Sequence, residues 1–202
     1  MAYTCITDGM LAENCYVLFD EQTKEAAIID PGFVSDELLR VVEPLHVQYI
    51  LLTHGHFDHF AGAEHLRGMI GAPIAAFCEE MALAANPVLN ASFTMLHQPL
   101  TCQVDQLFED GEKFSVGSIP VTVLHTPGHT AGGCSYITPD AVFTGDTLMG
   151  YTVGRTDLPT GNEEQLTKSL QKLTALPGDP DICGGHGPVT KLSQEKQRNP
   201  YL

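Results

Sequence analysis

The chain has 202 residues, is 43% hydrophobic and carries a formal net charge of −15. That apolar content suffices for a packed core and excludes a disordered chain, while the acidity opposes a nucleic-acid partner, because phosphate binding needs a basic surface. No basic region precedes an apolar stretch at the N-terminus and no apolar run approaches the ~20 residues of a membrane span, so the expectation is a soluble, cytoplasmic protein with no signal peptide and no membrane partner.

Three strands open the chain, over Tyr3 to Thr7, Asn14 to Asp20 and Lys24 to Asp30, with a polar hairpin turn at Glu21-Gln22-Thr23-Lys24. Asp30-Pro31-Gly32 stops the third strand, and Ser35 caps a helix running to Val42. The run Val47 to Leu52 is apolar and rich in strand formers, which predicts a buried strand. From Asp58 to Ile70 the period becomes helical, with Phe60, Ala63, Leu66 and Ile70 on one stripe. A short strand over Pro73 to Phe77 and a short helix over Glu79 to Ala85 come next, and Val88 to Leu107 has no period and reads as irregular.

From Phe108 onward turn residues punctuate the chain again. A hairpin pairs Lys113 to Val116 with Ile119 to His125, and a second pair covers Gly133 to Thr138 and Ala141 to Gly145. Asn162, three residues before Gln165, caps a helix carrying Leu166, Leu170 and Leu173, and Asp181 to Cys183 forms a last short strand. With no linker and no low-complexity segment, a single mixed α/β domain over residues 1–202 is the economical expectation. The six cysteines form no C-x-x-C pair and stand among apolar neighbours, so they read as buried, reduced packing residues.

The chemistry concentrates at strand ends. Thr53-His54-Gly55-His56-Phe57-Asp58-His59 packs three histidines and an aspartate between a strand and a helix. Imidazole and carboxylate are the groups that zinc and iron accept, and a loop can aim several of them at one point. The turns Thr126-Pro127-Gly128-His129-Thr130, Gly145-Asp146 and Gly184-Gly185-His186-Gly187 repeat the arrangement, each placing a ligand type beside glycine after a strand.

The order His54-x-His56-x-Asp58-His59, then His129, Asp146 and His186, resembles the ligand series of the metallo-β-lactamase-fold hydrolases over nearly the whole chain. Gly154-Arg155-Thr156-Asp157-Leu158-Pro159 and the tail Asn199-Pro200-Tyr201-Leu202 are similar to the single-domain branch related to type II glyoxalases, the hydroxyacylglutathione hydrolases. The resemblance implies an αβ/βα sandwich of two mixed sheets with helices outside. It implies two divalent metal ions, with zinc expected and iron or manganese as alternatives. His54, His56 and His129 would hold one, Asp58, His59 and His186 the other, and Asp146 would bridge them. About +4 from two such ions, −2 from two carboxylates and a bridging hydroxide leave about +1 facing a bound carbonyl.

The activity implied by the resemblance is hydrolysis of S-D-lactoylglutathione or a related hydroxyacyl-glutathione thioester by a metal-bound hydroxide. Asp58 and Asp146 would be the catalytic carboxylates, and methylglyoxal detoxification the setting. The metal-bound hydroxide is the nucleophile, so no serine or cysteine is needed for that role, and a thiolate leaves without a general acid. Only sixteen residues lie beyond His186, too few for the C-terminal helical domain of full-length type II glyoxalases, so no substrate-binding residue is assigned. Thr53 is a candidate to orient a ligand from behind, His125 is either another such candidate or, the favoured reading, a satisfied partly buried histidine, and Arg155 is expected to pair with Asp157. His46, His65 and His97 lack glycine-flanked strand ends and read as ordinary.

The rival reading on the same fold is a persulfide dioxygenase holding one iron through His54, His129 and Asp146. Against it, Leu158-Pro159 stands where such dioxygenases usually carry an aromatic residue and glutamine. A metal-dependent binding or redox module is the non-hydrolytic alternative, and the assembly expected is a monomer or small homo-oligomer.

Overall fold

The computed structural model describes residues 1–202. The first half contributes β1 (Ala2–Asp8), β2 (Glu13–Phe19), β3 (Glu25–Ile29), α1 (Asp36–Val42), β4 (His46–Leu52), α2 (Phe57–Phe60), α3 (Ala63–Ile70), β5 (Ile74–Phe77), α4 (Glu80–Ala84), α5 (Ser92–Leu96) and β6 (Gln106–Phe108). The second half contributes β7 (Lys113–Val116), β8 (Ile119–His125), β9 (Cys134–Ile137), β10 (Ala141–Gly145), α6 (Glu163–Thr174), β11 (Asp181–Gly184), β12 (Thr190–Lys191) and α7 (Leu192–Arg198). Each half forms one six-stranded sheet, in the orders β1-β2-β3-β4-β5-β6 and β12-β11-β10-β9-β8-β7. Both sheets are mixed: β3, β4, β5 and β6 run parallel, as do β10 and β11, and the other pairs are antiparallel.

Two-residue alternation sorts the central strands between two cores. Tyr16, Leu18, Ala27, Ile29 and Leu51 face the second sheet, where they meet Val121, Val123, Tyr136, Phe143 and Cys183. The intervening Cys15, Val17, Ala26, Ile28, Ile50 and Leu52 face outward under Leu38, Val42, Phe60, Ala63 and Leu66 of the helices. Strands covered on both faces must be apolar throughout, which explains the unbroken run Ile50-Leu51-Leu52. On the far side Leu166, Leu170 and Leu173 of α6 and Leu192 of α7 cover Val142 and Ile182. The result is the αβ/βα sandwich. No helix is long and apolar enough to cross a membrane.

Several expectations need correction. The helix read across Asp58 to Ile70 is two helices, α2 and α3. The Gly62 amide donates to the Pro31 carbonyl at 2.8 Å, and a Cβ on Gly62 would stand 2.5 Å from the Phe33 carbonyl oxygen, so this backbone packs on the loop after β3. The third strand is shorter than read, because Lys24 (φ 64°) and Asp30 (φ 52°) leave extended geometry on either side. The stretch read as irregular contains α5 and the first two residues of the three-residue β6. It is organised by buried Asn90, whose amide donates to Ala84 and Leu100 carbonyls while its oxygen accepts from Ser92 N–H. The segment after β11 forms β12 and α7, anchored by buried Glu195, which accepts from the Thr190 hydroxyl and the Tyr151 amide. The Ser35 and Asn162 caps are present as read. All six cysteines are free, but Cys5 and Cys78 are half-buried rather than buried.

Candidate metal centre

The central strands of both sheets end at the same edge of the sandwich. β4 delivers Thr53 to His59, β8 leads to His129, β10 ends at Gly145 before Asp146, and β11 ends at Gly184 before His186. Parallel pairing sets Gly145 opposite Gly184. Gly145 has φ +48°, and a Cβ there would lie 2.2 Å from the Thr53 hydroxyl oxygen, so only glycine lets the two turns meet.

The convergent side chains form two triads. Ligand-type atoms of His54, His56 and His129 lie within 4.8 Å of one another, and so do those of Asp58, His59 and His186. Asp146 stands between the triads. Its Oδ2 is 3.5 Å from His129 Nε2 and 3.7 Å from His186 Nε2, and its Oδ1 is 3.5 Å from His59 Nε2. His56 Nδ1 approaches His129 Nε2 at 2.9 Å, and Asp58 Oδ2 lies 3.4 Å from His186 Nε2.

Hydrogen bonds behind the rings decide where their lone pairs point. His129 Nδ1–H donates to the Arg155 carbonyl at 2.8 Å, and His59 Nδ1–H donates to Asp30 Oδ2 at 3.0 Å. The Thr53 hydroxyl gives its only proton to Asp30 Oδ2 at 2.6 Å, so its oxygen can only accept from His54 Nδ1–H, at 3.1 Å. In the neutral rings each arrangement turns an Nε2 lone pair toward the centre. His54 Nε2, His59 Nε2 and Asp146 Oδ1 are buried there with no hydrogen-bond partner, and His56 faces the same space with Nδ1. Orphaned buried polar atoms cost about 1–3 kcal/mol each, and a cation among these lone pairs would satisfy them together. The donor set of imidazoles and carboxylates therefore fits divalent metal.

Charge differs between the triads. Burial and the neighbouring rings push His54 well below its ordinary range and His56 down to about 3, leaving imidazoles free to ligate. Burial opposes charge on His59 as well, yet Asp58, Asp30 and Asp146 outweigh it and push the ring up to about 10. Burial raises Asp58 but His59 and His186 overcome it, so its carboxyl titrates below the usual range.

The seven candidate ligands thus come together. Thr53 lies behind them, hydrogen-bonded to His54 and Asp30. His125 does not: its Nε2 bonds the Ala131 carbonyl and its ring stacks on Phe77, so β8 turns it away from the cluster. Arg155 pairs with Asp157 through contacts of 2.6 and 2.7 Å, and it is the Arg155 backbone that serves the site. His46, His65 and His97 are exposed and outside it. Two further residues went unread in the sequence. Asp30 looked like a strand stop, and nothing distinguished Glu80 from Glu79 beside it. Glu80 is buried and accepts the amides of Gly55 and Gly132, on the turns bearing His56 and His129.

A cleft of about 240 Å³ opens over the cluster, lined by His56, Asp58, His129, Asp146 and His186 together with apolar side chains. It contains no serine or cysteine.

Residues 8–186 match the model of the Metallo-beta-lactamase superfamily. Uncharacterized protein ML0493 of Mycobacterium leprae is 36% identical, covering 100% of this chain and 99% of that one. Hydroxyacylglutathione hydrolase GloC of Haemophilus influenzae is 34% identical, covering 94% of this chain and 92% of that one. Among solved structures, the BLEG-1 B3 metallo-beta-lactamase superposes with a TM-score of 0.93 at 34% identity, covering 100% and 99% of the two chains. TTHA1623 in a di-iron-bound form gives 0.85 at 32%, covering 98% and 100%. ETHE1 from Myxococcus xanthus gives 0.81 at 30%, covering 99% and 84%. Together with the sandwich and its histidine-rich edge, these matches place the chain in the metallo-β-lactamase superfamily, as a metal-dependent enzyme.

Proposed function

We propose that the protein is a metal-dependent thioester hydrolase whose substrates include S-D-lactoylglutathione. The observation that carries the metal half of this reading is the position of Asp146 between two triads, with His54 Nε2, His59 Nε2 and its own Oδ1 left without partners. The thioester half rests on the likeness to GloC. His54, His56 and His129 would hold one divalent ion, Asp58, His59 and His186 a second, and Asp146 both. Zinc fits this nitrogen-rich set, and the di-iron form of TTHA1623 makes iron the alternative.

Bound at these residues, divalent ions supply an acidified water and a Lewis acid for a carbonyl oxygen. The side chains do the rest. Asp30, Thr53 and the Arg155 carbonyl keep the ligand rings in one tautomer and one orientation. Asp58 and Asp146, both mostly buried, offset part of the cationic charge and keep the centre positive toward a developing oxyanion. A thiolate leaves without a proton donor, consistent with a lining that offers none from lysine or tyrosine.

The test is loss of thioester absorbance from S-D-lactoylglutathione with purified, metal-loaded protein. Turnover abolished by a chelator and restored by metal supports the reading, and no turnover in the loaded protein rejects it. The likeness to ETHE1 favours a second reading, an iron dioxygenase acting through His54, His129 and Asp146. Oxygen uptake on glutathione persulfide with an inert thioester would select it.

A further inference from the structure

The cleft over the metal centre has a composition that bears on substrate choice. Apart from the ligands, its wall is Leu11, Phe57, Ala91, Met95, Met149 and Leu158. The one arginine or lysine on the lining is Arg155, and its charge is paired through Nε and Nη2 with Asp157 at 2.6 and 2.7 Å. Leu11 and Met95 are 38% and 51% exposed at the mouth, so the apolar wall continues to the solvent edge.

Biological thiol carriers are charged. Glutathione has two carboxylates, and coenzyme-type carriers have phosphates. A site that grips an anion is best served by an arginine or lysine whose charge is not already paired, and this wall has none. A chain of net charge −15 adds a field that disfavours anions further. The part of the thioester that this wall suits is therefore the acyl group.

We propose that the enzyme selects its thioester by an apolar acyl group seated against Leu11, Met95, Met149 and Leu158, and leaves the thiol carrier in solvent. This rests on the thioesterase reading and adds to it which end of the substrate is recognised. Carrier charge contributes little to recognition, while each methylene that enters the cleft contributes burial.

The experiment compares kcat/KM for one acyl group on glutathione and on the uncharged thiol N-acetylcysteamine, then for acetyl, butyryl and hexanoyl esters on a single thiol. The expected result is carrier preference below about tenfold, the scale of one lost charged hydrogen bond. It also includes a rise of about twofold to fourfold per methylene until the cleft is full. Leu11→Ser and Met95→Ser should flatten that rise with metal content unchanged, and because both side chains are exposed at the mouth the variants should fold. A preference for glutathione above about tenfold, or a flat acyl series in the parent protein, overturns the inference while leaving the thioesterase reading intact. Inertness toward every ester rejects both.

Discussion

Oε2 of Glu80 accepts the amide of Gly55 at 2.6 Å, between His54 and His56. Oε1 of the same carboxylate accepts the Gly132 amide at 2.7 Å, three residues past His129. One buried side chain of α4 thereby fastens the two turns that supply the first triad. Burial raises the Glu80 carboxyl, and the two amides oppose that by holding the charged form.

Glu80→Ala should therefore act selectively. Two buried amides lose their acceptor, at about 1–3 kcal/mol each. The triad of His54, His56 and His129 should lose at least about tenfold in metal affinity, a typical cost of losing a group that supports ligands, while Asp58, His59 and His186 keep theirs. Stepwise metal titration reads the two sites apart, and equal weakening of both would reduce Glu80 to a general packing residue.

Asp146→Ala removes the carboxylate within reach of both triads. Metal content should fall at both sites, and hydrolysis with it. His186→Ala should empty mainly the second site, because His54, His56 and His129 are untouched. Metal analysis of the two variants decides this, and full loading of the Asp146 variant would defeat the shared role.

Alkaline stability depends on the thiols. Burial pushes Cys102 up to about 12 from an ordinary 9.0, and raises Cys15 as well. The folded chain keeps a proton that the unfolded chain releases above about pH 9, so stability declines as pH rises from there toward 12. At about pH 10.5 the loss for Cys102 is about 2 kcal/mol. Urea midpoints at pH 8 and 10.5 should show this decline, and Cys102→Ala should make it shallower. An unchanged slope in the variant would contradict the assignment.

The acid side is governed in part by Asp20, which accepts the Ser118 hydroxyl at 2.6 Å, the Ser118 amide at 2.8 Å and the Gln22 amide at 2.9 Å. Those bonds from Ser118 and Gln22 hold its carboxyl well below the usual range. Its contribution is present above the ordinary carboxylate pKa and is lost as pH falls below that value. Asp20→Asn should lower the thermal midpoint at pH 7, and the gap from the parent should narrow below about pH 4. A gap independent of pH would mean that the charge on Asp20 is not what joins the two hairpins.

What the chain's own order determined was local. Strand composition, the Ser35 and Asn162 caps, and ligand-type residues beside glycine at strand ends all express themselves within a few neighbours, and so were legible. The resemblance added how His54, His56, His129, Asp58, His59, Asp146 and His186 would group, and the structure brings those seven to one edge. Tertiary structure alone decided what supports them. Asp30 reaches Thr53 across 23 positions, and Glu80 reaches Gly132 across 52, so no sequence window contains either bond. It also decided that the helix breaks at Gly62, where backbone from another loop occupies the space of a side chain. The same holds for the apolar wall, drawn from Leu11, Met95, Met149 and Leu158 on separate segments of the chain. Strand pairing and sheet packing set those distances, and a linear pattern carries no record of which distant groups will share one desolvated space.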